Sequence, residues 1–157
     1  MAMNKSILCI DIGTVTGWAF KNRSNLATSG TKSFKGSRFE GGGMKYLRFN
    51  IWLNKILDEV GIIDLVYFEA VNRHLGVAAA HAYGGYLSQL TAWCEKHKIP
   101  YMGVGVGTIK KFIAGKGNAN KEDVIKRIKS LGHDPKDDNE ADALALMYYA
   151  KKENHFN

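Results

Sequence analysis

ILCIDIGTVTGWAF, residues Ile7 to Phe20, decides how the rest of the chain is read. Ile7-Leu8-Cys9-Ile10 is an apolar run too short for a helix, so it predicts a buried strand. Asp11 stands where that strand leaves the core, and an acid there either starts a turn or serves a site. Gly13 and Gly17 bracket Thr14-Val15-Thr16, the spacing of a tight reversal into a second strand whose backbone a ligand can approach closely. The meaning of Asp11 depends on whether other acids join it.

Outward from this stretch, Gly17 to Lys21 and Leu26 to Phe34 read as two further strands joined by the polar turn Asn22-Arg23-Ser24-Asn25, an antiparallel meander. Lys35 to Gly43, KGSRFEGGG, is a basic, glycine-rich loop. From Met44 the period changes: Phe49, Leu53, Ile56 and Val60 recur at helical spacing with Leu57 beside them, and Gly61 follows the end. Ile62 to Phe68 is another apolar strand, and it too finishes on an acid, Glu69. VNRHLG then carries Arg73 and His74 into a long helix, Val77 to Lys98. Ala78, Ala79, Ala80, Ala82, Gly84 and Gly85 would let either the sheet or a second copy of the protein come close. His74 and His81 are open to two readings, ligand or acid–base group on one side and, more commonly for a histidine at a helix start, polar surface residue on the other.

Ile99 to Val104 is the next strand. The glycines of Gly105-Val106-Gly107-Thr108 lack the Gly-Lys-Ser/Thr ending of a phosphate loop, and Thr108 is placed to cap a short helix, Ile109 to Ala114. A helix from Lys121 to Leu131 follows, with Asn120 as its cap, Asp123 three residues on, and Glu122–Lys126 and Asp123–Arg127 at i,i+4. Lys121 in the first turn opposes the helix dipole, which suits either a phosphate held at that end or a solvated lysine. Gly132 and Pro135 precede the last helix, DDNEADALALMYYAKK. Its stripe is Ala141, Leu144, Ala145 and Tyr148; Asp142 borders it, Asp138 and Asn139 share the face of Asp142, and Glu140 lies nearly opposite. Asp138 also fits the N-cap.

The 157 residues are 45% apolar, enough for one globular domain, 1–157, with a core of its own. Cys9 and Cys94 show no metal-type spacing and read as small core residues in a reducing compartment. MAMNKS lacks a signal-peptide pattern and no apolar run reaches bilayer length, so no membrane association and a cytoplasmic location are expected. The formal net charge is +7, and the excess is clustered. Lys21 to Arg48 holds seven basic residues against Glu40 alone; Lys110, Lys111, Lys116, Lys121, Lys126, Arg127 and Lys129 face only Glu122 and Asp123. Such clusters suit a polyanion, nucleic acid first, because each neutralised phosphate releases counterions.

Asp11, Glu69 and Asp142 end two apolar strands and border one apolar helix stripe. Three carboxylates in one place cannot all stay ionised without a compensating cation. Magnesium or manganese suits hard oxygen ligands, and no Cys/His set exists for zinc. In a basic protein, two such ions about 4 Å apart hydrolyse a phosphodiester without a side-chain nucleophile.

ILCIDIGTVTGWA, VYFEAV, KKFIAGKGNANK and NEADALAL, in this order, resemble the motifs of RuvC-like Holliday-junction resolvases, in the short form typical of phages. The resemblance implies an α/β RNase H-like fold, a five-stranded mixed sheet with its first three strands antiparallel and helices flanking it. It implies a homodimer that nicks a four-way DNA junction symmetrically. Asp11, Glu69 and Asp142 match the family's metal-binding acids, Lys121 matches a lysine near the scissile phosphate, and Lys110 or Lys111 matches another DNA contact. Lys116 and Arg73 join them as candidate DNA contacts. Where the family has an acid or histidine three residues before the last aspartate, this chain has Asn139; either Asn139 completes the metal site as a neutral ligand or Asp138 supplies the charge. The aromatic wedge some relatives carry after the glutamate is absent, since Val71, Asn72 and Arg73 follow Ala70.

Two other readings remain open at this level. Asp-Ile-Gly-Thr-x-x-Gly also resembles the phosphate loop of the actin/sugar-kinase class, which needs two lobes where this length gives one. The missing fourth acid also fits a junction-binding protein without catalysis.

Overall fold

The computed structural model describes residues 4–74 and 76–154; residues 1–3, part of the MAMNKS segment read above, lie outside them. The elements in chain order are β1 (Ile7–Asp11), β2 (Val15–Lys21), β3 (Ala27–Ser33), α1 (Met44–Val60), β4 (Leu65–Ala70), α2 (Val77–His97), β5 (Tyr101–Gly105), α3 (Val106–Ala114), α4 (Lys121–Ser130) and α5 (Asp138–Glu153). The sheet order is β3-β2-β1-β4-β5. β1 pairs antiparallel with β2, and β2 with β3, whereas β4 pairs parallel with β1 and β5 pairs parallel with β4. This is the five-stranded mixed sheet expected, with its first three strands antiparallel.

Side-chain parity sorts the strands onto two cores. Leu8, Ile10, Phe20, Val66 and Phe68 point to a core shared with α1 and α2, where Phe34, Phe49, Trp52 and Tyr86 stack; Phe34 and Phe49 meet edge to face at 5.4 Å. Ile7, Cys9, Ala19 and Tyr67 point to the other core, with α3, α4 and α5. Both cysteines are buried and free. Asp11 and Glu69 continue the parity of Ile7-Cys9 and of Tyr67. Both acids therefore fall on the α5 side, at the edge where β1 and β4 end.

Several boundaries differ from the sequence reading for physical reasons. β2 begins at Val15, because its ladder with β3 runs on to Val15↔Ser33. β4 begins only at Leu65, since Ile62 and Asp64 are engaged by Ser6: the Ser6 hydroxyl donates to the Ile62 carbonyl, and the Ser6 N–H donates to the Asp64 carboxylate. Thr108 lies inside α3, which starts from Gly105 with no side-chain cap. α4 does carry its expected cap: the Asp123 N–H donates to Asn120 Oδ1 at 2.9 Å, and the Asp123 carboxylate accepts the Asn120 N–H in return. Asp123 also faces Lys116 at 3.8 Å, an engagement the i,i+4 reading missed. The small-residue face of α2 receives α1 at Gly85, where the Tyr46 ring leaves no room for a Cβ, while Ala78, Ala79 and Gly84 stay exposed. Among the described residues no helix is long and apolar enough to cross a membrane.

Candidate metal centre

α5 brings the third acid to the sheet. The cap of α5 is Asp137, whose carboxylate accepts the Glu140 N–H at 2.9 Å, so Asp138 is the first helical residue and not the cap. That frees the Asp138 side chain for the face it shares with Asp142. The first turn of α5 lies on β2 in direct backbone contact. A Cβ at Gly17 would run into the Asn139 carbonyl, so the close approach anticipated at Gly17 is filled by the protein's own backbone. Ala19, next on that side of β2, is fully buried beneath the same helix.

Asp11, Glu69 and Asp142 thereby each present an oxygen within 4.8 Å of the others. Burial is the largest influence on Asp11 and pushes its carboxyl well up; the Glu69 carboxyl beside it and the charges of Asp142 and Asp138 push the same way. Asp142 is raised to about 7, again first by burial, then by Glu69 and Asp138, with Lys110 and Lys121 pulling it down. These acids repel one another in a partly desolvated corner, the condition a divalent cation relieves. Three hard carboxylate oxygens fit magnesium or manganese, and among the described residues no cysteine or histidine joins the cluster.

The other predicted residues divide. Lys121 Nζ lies 3.1 Å from Asp138 Oδ2, an exposed lysine on a half-buried acid at the rim of the cluster. Lys110 lines the small pocket shared with Glu69 and Asp142, while Lys111, next along α3, is exposed. Lys116 is held by Asp123 beside the start of α4, and Arg73 is exposed in the segment leaving β4. Asp138 is close enough to influence both Asp11 and Asp142. Asn139 contributes its backbone to the Gly17 contact.

Two residues escaped the sequence reading. Tyr83 of α2 clamps the end of β4: its hydroxyl donates to the Glu69 carbonyl at 2.9 Å and accepts the Val71 N–H at 3.1 Å. No local signal marks it. Glu140 is indeed opposite Asp142, but that side is packed, not solvated: its carboxylate accepts from the Ser29 hydroxyl at 2.7 Å and from the Lys136 N–H at 2.9 Å, with only 6% of the residue exposed. The loop after Asp11 has its polar groups used internally. The Thr16 hydroxyl donates to the Gly13 carbonyl, and the Thr14 carbonyl accepts the Phe34 N–H. A phosphate-cradling role for that loop finds no support in this bonding.

No protein-family model matches the sequence, and no curated protein matches it. Solved structures do match the fold. Thermus thermophilus RuvC in complex with a Holliday junction substrate is similar with a TM-score of 0.77 at 22% identity, over 96% of this chain and 97% of that one. Thermus thermophilus RuvC alone gives 0.71 at 21% identity, over 95% and 97%. The yeast mitochondrial Holliday junction resolvase gives 0.64 at 13% identity, over 93% and 77%. The chain has the fold of these resolvases.

Proposed function

We propose that this chain is a divalent-metal-dependent endonuclease that resolves four-way DNA junctions by paired nicks, acting as a homodimer of one nuclease domain. The observation that carries the reading is the meeting of Asp11, Glu69 and Asp142 within 4.8 Å, on the fold that the RuvC structures share. Asp11, Glu69 and Asp142 would hold two magnesium or manganese ions, with Asp138 or Asn139 completing the set. Bound there, the ions supply activation of water and stabilisation of the leaving oxygen of a phosphodiester.

The chain's own residues do the rest. Lys121 neutralises Asp138 in the absence of DNA and is free to turn to a phosphate when one arrives, since its ammonium is exposed. Lys110 sits beside Glu69 and Asp142 and balances part of their charge. Lys111, Lys116 and Arg73 offer cations to more distant phosphates of the arms. Met44, Leu47 and Ile51 line one exposed side of α1 at i, i+3 and i+7, an apolar stripe suited to a second copy.

The test is cleavage mapping on four-way, three-way and flap DNAs with magnesium and then manganese, beside sedimentation of the protein alone. Symmetric nicks in the four-way junction, lost in Asp11→Asn and Asp142→Asn while binding persists, are expected. Binding without any nick in either metal would leave a junction-binding protein and overturn the catalytic reading.

A further inference from the structure

The three acids belong to two separate frames. Asp11 and Glu69 are carried by adjacent strands whose ladder fixes their spacing. Asp142 comes from α5, and its distance from the sheet is only as definite as the seating of that helix's first turns. The contacts that hold this end of α5 against the sheet therefore set how far Asp142 stands from the strand acids.

Glu140 supplies one such contact. It lies two residues before Asp142, on the opposite side of the same turn, facing β3. An ionisable side chain this thoroughly buried is costly unless its oxygens are bonded, and both are. One oxygen accepts from the Ser29 hydroxyl of β3, and the other from the Lys136 N–H in the segment leading into α5. The same turn has its backbone seated on Gly17 through the Asn139 carbonyl. A single side chain thus ties the helix start to the sheet and to its own lead-in, on the far side from the acids.

We infer that Glu140, with Ser29 as its partner on β3, is a positioning residue for the metal centre: it fixes the separation between Asp142 and the strand acids and thereby sets the affinity of the site for divalent cations. This inference rests on the proposed nuclease reading only in assuming that the acids bind metal. Groups hydrogen-bonded directly to metal ligands are worth about 10–100-fold in affinity when removed, and Glu140, acting through the seating of the helix, is expected at the lower end of that range. Glutamine at 140 keeps an acceptor for the Lys136 N–H and can donate to the Ser29 oxygen, so it preserves most of the tie.

The experiment is calorimetric titration of the DNA-free protein with Mn2+, comparing wild type with Glu140→Ala, Glu140→Gln, Ser29→Ala and Asp64→Ala. Asp64 serves as a control because it supports the opposite end of the same strands and destabilises without touching α5. Mn2+ binding about tenfold or more weaker in Glu140→Ala, several-fold weaker in Ser29→Ala, and close to wild type in Glu140→Gln and Asp64→Ala is expected. Equal weakening in Glu140→Ala and Asp64→Ala would reduce Glu140 to general stability and overturn the inference. If Glu140→Ala does not fold, Ser29→Ala decides alone, and wild-type affinity there overturns it. A wild-type protein that fails to bind Mn2+ at all instead sinks the metal-centre reading itself.

Discussion

The two ends of the β1–β4 strand pair treat their acids in opposite ways. Where the strands begin, Asp64 accepts from the Ser6 N–H at 2.8 Å and from Arg23 Nη2 at 2.6 Å, and the Arg23 bond first, then Ser6, holds its carboxyl well below the usual range. Where they end, Asp11 is pushed up by burial, Glu69 and Asp142, and Asp142, brought there by α5, is pushed up by burial, Glu69 and Asp138. The same residue type stabilises at one edge and is strained at the other. Charge left uncompensated, and not acidity as such, marks the edge available for chemistry.

The largest effect that could break this contrast is on turnover. Asp142→Asn should lower junction cleavage by at least about a hundredfold, the scale of losing several kcal/mol of transition-state stabilisation. Asp64→Asn should leave the cleavage rate per folded molecule at the wild-type level. Similar losses from both would erase the distinction.

Stability should move with opposite signs. In metal-free buffer at pH 8, Asp142→Asn should raise unfolding free energy by on the order of 1–4 kcal/mol, since removing a carboxylate ionised against its surroundings relieves repulsion. Asp64→Asn should lower it by about 1–2 kcal/mol through lost hydrogen bonds. Denaturant melts of both variants check this, and a destabilised Asp142→Asn would show that its charge is already compensated.

The pH dependence sharpens the same point. Asp142 ionises in the unfolded chain near its ordinary 3.8 but in the folded protein only near 7, so stability falls as pH rises across that window and levels off above it. Asp64 runs the other way: its contribution is complete above the ordinary carboxyl range and drains as pH falls through and below it. Metal-free protein is therefore expected to be most stable at about pH 4–5, and added Mn2+ should restore stability at pH 8. A metal-free maximum at pH 8 would contradict it. The smallest effect concerns Lys121. Its ammonium is exposed where it meets Asp138, so Lys121→Ala should leave the melting temperature nearly unmoved while lowering cleavage more than junction affinity.

Much of this contrast was legible in the chain. Two apolar runs, each ending in an acid, put Asp11 and Glu69 at strand ends, and helical periodicity put Asp142 at the margin of α5. The resemblance to RuvC-like motifs gave the sheet its connectivity. The Asp64 end was invisible because its partners, Ser6 and Arg23, lie 58 and 41 residues away. Glu140 was placed opposite Asp142, but its burial was not legible because α5 is covered on more than one side: Ala143, Leu146, Met147 and Ala150 are buried along with Ala141, Leu144 and Ala145 of the predicted stripe. Gly17 was recognised as a point of close approach, but which backbone would arrive there depended on tertiary packing. Asp137 took the cap from Asp138 by one position, and that single step turned Asp138 toward the acids.

Alternation along β1 and β4 has a consequence for how such a chain can vary in length. Deleting one residue between Leu8 and Ile10, or between Val66 and Phe68, would leave an apolar strand able to pair, yet swing its terminal carboxylate through the sheet to the α1–α2 side. The turn at 22–25 and the loop at 35–43 carry no such parity, and insertions there need not invert either acid. Tolerated indels in this fold should accumulate in those connectors and spare the two short acid-bearing strands.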